Sequence, residues 1–98
     1  MSLALSIGIA AQNKADEPMG DKAAAALVKE LKGVVTRLSP DKDEAELVHK
    51  KWDERKNLGK KTKNQVIDLL YEDVKCVIKD SGTQYQIYST FSFYKNMD

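Results

Sequence analysis

The chain has little from which to build a reactive centre. Its one cysteine is Cys76 and its one histidine is His49. A single cysteine excludes an internal disulfide and any multi-cysteine zinc site. A single histidine leaves any metal cluster or His-based triad to be assembled around one imidazole. The five glycines are scattered and make no phosphate-cradling loop. The acidic neighbours Asp43-Glu44, Asp53-Glu54 and Glu72-Asp73 are adjacent in sequence, so on helices they point in different directions rather than forming a working carboxylate pair. No apolar run is long enough to span a bilayer. The opening MSLALSIGIAAQNK lacks a basic leader, and Ser6 and Gly8 interrupt its apolar stretch, which argues against a secretory signal. Together these absences lead us to expect an intracellular, non-enzymatic protein with no cofactor, no metal and no membrane partner.

What is present fits one domain over residues 1–98. An apolar fraction of 42% and a charged fraction of 32% are those of an ordinary globule with a single core. The net charge of +1 conceals an asymmetry. Residues 50–63 carry seven basic side chains against two acidic ones, a local +5 that leaves −4 on the rest of the chain. Such a patch can steer a polyanion without a global field.

Periodicity divides the chain into three parts. In residues 1–20, Leu3, Leu5, Ile7 and Ile9 alternate with small residues, as in a strand, before a loop through Pro18 and Gly20. In residues 21–73 the spacing becomes helical. Leu27, Val28, Leu31, Val34, Val35 and Leu38 form one stripe, stopped by Ser39-Pro40. Asp41 to Glu46 then opens a second helix with acidic residues, Ala45, Val48 and Trp52 form its stripe, and Leu58-Gly59 resembles a glycine cap. Thr62-Lys63-Asn64-Gln65 has the capping-box pattern and starts a third helix, with Val66, Ile67 and Leu70 inward. In residues 74–94, Val74, Cys76 and Ile78 alternate, Asp80-Ser81-Gly82-Thr83 resembles a turn, and Tyr85, Ile87, Ser89, Phe91 and Phe93 alternate again, which predicts a β-hairpin and a buried Cys76. The expected architecture is α+β and winged-helix-like: three helices, a hairpin, and an N-terminal strand joining the small sheet.

On such a fold two surfaces stand out. The third helix and the basic turn before it carry Lys60, Lys61, Lys63, Asn64 and Gln65, and Lys75 and Lys79 lie on the hairpin. Lysines neutralise phosphates, and Asn or Gln pairs with adenine, so this surface predicts binding of DNA or RNA. Asp68, Glu72 and Asp73 on the same helix oppose that reading. The alternative is a protein-binding or homodimerising adaptor that uses the aromatic second strand, with Tyr88, Phe91, Phe93 and Tyr94 as anchors.

The segments LVKELKGVV, AELVHKKWDERKNLG and VIDLLYEDVKCVIKDSGTQYQIYS loosely resemble the LOTUS domain, an OST-type helix-turn-helix. Trp52 takes that family's aromatic position, Gly59 its glycine and Leu69-Leu70 its leucine pair. The family's Gly-Ile between helices one and two is absent, as is its Pro before the Val-rich strand. The resemblance implies a germline or RNA-granule scaffold that binds a DEAD-box helicase or G-rich RNA.

Overall fold

In a computed structural model, residues 17–97 are described, and their regular structure is helical throughout. Helix α1 covers Asp21–Leu38, with Ala24, Leu27, Leu31, Val34 and Val35 buried at three- and four-residue spacing. It stops where expected: Ser39 precedes Pro40 and is extended, a conformation that the proline ring enforces. Helix α2, Lys42–Glu54, starts at Asp41, whose carboxylate accepts hydrogen bonds from the Asp43 and Glu44 amides. It buries Ala45, Val48 and Trp52. Arg55 ends it, and a single 3-10 turn, Leu58–Lys60, leads on. Helix α3, Lys63–Val77, opens with both bonds of the expected capping box, Thr62 N–H to Gln65 Oε1 at 3.0 Å and Gln65 N–H to Thr62 Oγ1 at 3.2 Å. Helix α4 covers Ser81–Lys95.

The helices close a ring in which α1 packs on α2 and α4, and α3 packs on the same two. Trp52 from α2 and Phe91 from α4 meet inside it with ring centroids 6.2 Å apart. Leu31, Val35, Leu70 and Val74 from α1 and α3 surround them, all fully buried. The Trp52 indole N–H donates to the Leu70 carbonyl at 3.0 Å, so its burial leaves no donor unsatisfied.

The expected α+β winged-helix architecture is therefore incorrect. Among the described residues there is no strand, and residues 74–94 are the last turn of α3, a short link and α4. The expected N-terminal strand lies outside the described residues. Two features explain the hairpin error. Asp80-Ser81-Gly82-Thr83 is an N-cap rather than a hairpin turn: the Asp80 carboxylate accepts from both the N–H and the hydroxyl of Thr83 at 2.8 Å. Beyond it, Thr83, Ile87 and Phe91 recur every four residues and are the residues α4 buries. Tyrosine, threonine and phenylalanine favour strands only weakly, and burial of this stripe against α1 and α3 overrides that preference.

Helical phase corrects two further expectations. Val74 and Ile78 share the inner face of the chain, while Cys76 falls on the outer side and is exposed. Gly59 is not a left-handed cap; that conformation belongs to Asn57, at φ 64°. A glycine is needed at 59 because backbone approaches there. Gly20 N–H donates to the Gly59 carbonyl at 2.8 Å, and a Cβ at 59 would stand 2.6 Å from the Asp21 nitrogen.

Candidate functional site

The basic residues do not converge. Lys60 is exposed on the 3-10 turn, and Lys61 is partly covered beside it. The Lys63 ammonium donates to the Met97 carbonyl. Asn64 is free on the surface, but the Gln65 side-chain oxygen already serves the capping box. Lys75 lies near the opposite end of α3, roughly 18 Å from Lys63 at 1.5 Å per residue, and Lys79 lies just beyond that end. Lys75 is 3.3 Å from Glu72 and 5.7 Å from the centre of the Tyr71 ring, while Lys79 donates to the Lys75 carbonyl. Between these two groups Asp68 pairs with Lys95 at 2.6 Å. Two separate basic ends with a carboxylate between them do not make a phosphate track.

The aromatic residues are brought together differently from the expectation. Phe91 lies in the core at 2% exposure and cannot touch a partner. Tyr94 is half-buried, and its hydroxyl donates to Glu30 Oε1 at 3.0 Å. That bond, reinforced by partial burial and the carboxylate's charge, holds the phenol above its ordinary pKa. Tyr88 and Phe93 remain exposed at 53% and 64%, and Tyr85, not among the expected anchors, is the most exposed large residue of the three at 69%. On a helix, positions 85, 88, 89, 92 and 93 share one face. The surface is thus Tyr85, Tyr88 and Phe93 with Ser89 and Ser92 between them.

Two properties distinguish this face. The stretch Ser81 to Tyr94 contains no charged residue, although 32% of the chain is charged. Its rims carry both signs: Glu30 beside Tyr94 on the α1 side, and the Asp68–Lys95 and Glu72–Lys75 pairs on the α3 side. Tyr88 is also held in place, its ring meeting Tyr71 edge-on at 5.4 Å. The four-residue recurrence of Thr83, Ile87 and Phe91 is the signal in the sequence that could have set this face outward.

Among the described residues no buried side-chain nitrogen or oxygen lacks a hydrogen-bond partner. A shallow groove of about 390 Å³ lies between α1 and the 3-10 turn, floored by Ala24, Val28 and Leu58. Of the charged side chains that line it, Lys32 pairs with Asp53 at 2.6 Å, and Arg55 pairs with Asp73 through two bonds of 2.8 and 3.0 Å. The Asp73 carboxylate raises the Arg55 pKa further above its already high value, despite partial burial. His49 Nε2 lies 3.1 Å from the Lys32 carbonyl and 3.3 Å from Thr36 Oγ1, which ties it to α1. Among the described residues no three His, Cys, Asp or Glu side chains are placed to hold a metal ion, and no helix is long and apolar enough to cross a membrane.

Comparison with known proteins yields no match to any family model, curated protein or solved structure.

Proposed function

We propose that this chain is a protein-interaction module whose working surface is the outer face of α4. The observation that carries this reading is the charge-free run Ser81 to Tyr94, which holds Tyr85, Tyr88 and Phe93 more than half exposed on one helix face. Surfaces that must only stay soluble carry charges. Exposed aromatics grouped on a rigid element are the residues that anchor protein interfaces, because a tyrosine or phenylalanine buries a large area at the cost of few rotatable bonds. The Tyr71–Tyr88 contact adds rigidity, so little ordering entropy is lost on binding.

Nucleic-acid binding has less support. It requires a winged-helix geometry that the chain does not adopt, with Lys75 and Lys79 brought near Lys60 and Lys63. Gln65 is occupied within its own helix start.

The test places a photo-crosslinking amino acid at position 88 of the full chain in cells, with position 46 on α2 as the control. Discrete protein adducts at 88, absent at 46 and lost with Phe93→Glu, are expected. Equal labelling at both positions would overturn the reading. So would steep salt-dependent binding of duplex DNA or RNA that disappears in Lys60→Glu/Lys63→Glu.

A further inference from the structure

We infer that α4 is a two-state segment: a helix while docked and, once released, a strand that stacks in cross-β fashion on the same segment of other chains. The folded chain stays helical, and the strand exists only between chains. This inference goes beyond the interaction module and stands whether or not the outer face binds another protein.

Residues 84–94 hold two amphipathic solutions. As a helix the run turns Ile87 and Phe91 inward and leaves Tyr85, Tyr88 and Phe93 more than half exposed. As a strand, alternate residues share a face, so Tyr85, Ile87, Phe91 and Phe93 fall together around Ser89. The opposite face is then polar and aromatic, with Gln84, Gln86, Thr90 and Ser92 beside Tyr88 and Tyr94. Glutamines and aromatic rings stack well on their own copies in such an assembly. The strand thus covers Tyr85 and Phe93, which the helix leaves to solvent, but only when neighbouring chains supply its backbone partners.

Composition favours the strand and docking favours the helix. From Ser81 to Tyr94 there is no charge and no proline, and the one glycine is Gly82. Such uncharged, aromatic and β-branched stretches form steric zippers when they are exposed. Only Gln84 and Gln86 in this stretch are strong helix formers, whereas α1 is mostly Ala, Leu, Lys and Glu. Helix α4 therefore depends on what it touches. The Asp80 carboxylate caps its start, and Lys95 near its end pairs with Asp68 at 2.6 Å. Between them Tyr71 of α3 is the main tether. Its ring meets Tyr88 and Phe91 edge-on at 5.4 and 6.1 Å, and its hydroxyl donates to the Gln84 carbonyl at 3.4 Å.

Asp80 and Lys95 also bracket the uncharged run, and charges at the edges of a zipper-forming stretch oppose its stacking. The same two residues hold the helix and restrain the strand. Among the described residues no helix follows α4, and α1, α2 and α3 pack on one another without it. It can therefore open as a local unit.

Tyr71→Ala tests this in the full chain, because it loosens α4 without altering the α4 sequence. Amide exchange in α4 should become faster than in α1 and α2. At about 100 µM, where released segments associate, the variant should form fibres that bind thioflavin T and diffract at about 4.7 Å along their axis. The wild type should stay helical and free of fibres under the same conditions. Adding Ser89→Lys should abolish the fibres: position 89 is exposed in the helix, but in the strand it stacks a charge between Ile87 and Phe91 in every copy. Adding Ser89→Ala, which favours the helix at least as well, should leave the fibres in place. Adding Leu47→Lys, the same charge on the exposed side of α2, should change nothing. Fibres that persist with Ser89→Lys have their core elsewhere and overturn the inference, as does their loss with Ser89→Ala or Leu47→Lys. A wild type that assembles as readily as Tyr71→Ala overturns it too. So does a Tyr71→Ala chain whose α4 exchanges no faster than α1, or whose loosened α4 forms no fibre.

Discussion

Helices α2 and α4 are near-equivalents on the inside and opposites on the outside. Each packs against both α1 and α3. Each buries one narrow stripe of three residues, Ala45, Val48 and Trp52 in α2 and Thr83, Ile87 and Phe91 in α4, and the two stripes meet through Trp52 and Phe91. Outward, α2 presents Lys42, Asp43, Glu46, Lys50, Lys51 and Glu54 around a single exposed large apolar residue, Leu47, while α4 presents Tyr85, Gln86, Tyr88, Ser89 and Phe93. Equal inner stripes give both helices the same role in the fold. The outer faces are free to differ, and that difference is where a function can be sought.

The largest expected effects test the equivalence of the inner faces. Trp52→Ala and Phe91→Ala should each cost about 3–5 kcal/mol in urea unfolding, because each opens a cavity at the centre of the ring. Phe93→Ala, two residues from Phe91 but outside, should change stability by less than about 0.5 kcal/mol. Equal losses at 91 and 93 would break the division into inner and outer faces.

An intermediate effect tests how α2 is fixed. Its last turn is tied to α3 by the two-bond Arg55–Asp73 pair, and Asp73 is only 8% exposed. Arg55→Ala should cost about 1–3 kcal/mol, because it leaves a buried carboxylate without its partner. The double replacement Arg55→Met/Asp73→Leu should recover most of that loss.

The smallest effect concerns the start of α4, and it depends on pH. The Thr83 backbone N–H, followed by its hydroxyl, holds the exposed Asp80 carboxyl below its ordinary pKa. A lowered folded-state value means stability that is present above the ordinary carboxylate range and lost as pH falls through the lowered value. Asp80→Ala should therefore melt at a lower temperature than wild type at pH 7, with the gap closing as the solution is acidified into that range. A gap independent of pH would show that Asp80 does not cap α4 as a carboxylate.

The same contrast explains what could be read from the sequence. Helix α1 was legible to the residue, because its stripe runs from Leu27 to Leu38 and Pro40 stops it. The acidic start of α2 and the capping box at Thr62 were legible in the same way, as were the inward placements of Trp52, Ile67 and Leu70, whereas the role of Asp41 as the N-cap came only with the structure. In each case charged residues on the outer face made the apolar stripe conspicuous. In α4 nothing marks the outside: Tyr85 and Phe93 look as apolar as Ile87 and Phe91, so an alternating pattern and a four-residue pattern are both present. The uncharged aromatic face that hid the helix is the face now proposed as the interface. The dispersal of the lysines was hidden for a different reason. Lys63 and Lys75 are close in a hairpin topology but lie at opposite ends when α3 runs unbroken to Val77.

The most direct measurement is NMR on the full chain with a soluble paramagnetic probe. Residues 81–95 should show helical carbon shifts, and the probe should broaden the side-chain signals of Tyr85, Tyr88 and Phe93 while leaving those of Trp52 and Phe91 sharp. Strand-like shifts across 84–94, or equal broadening of Phe91 and Phe93, would contradict the account.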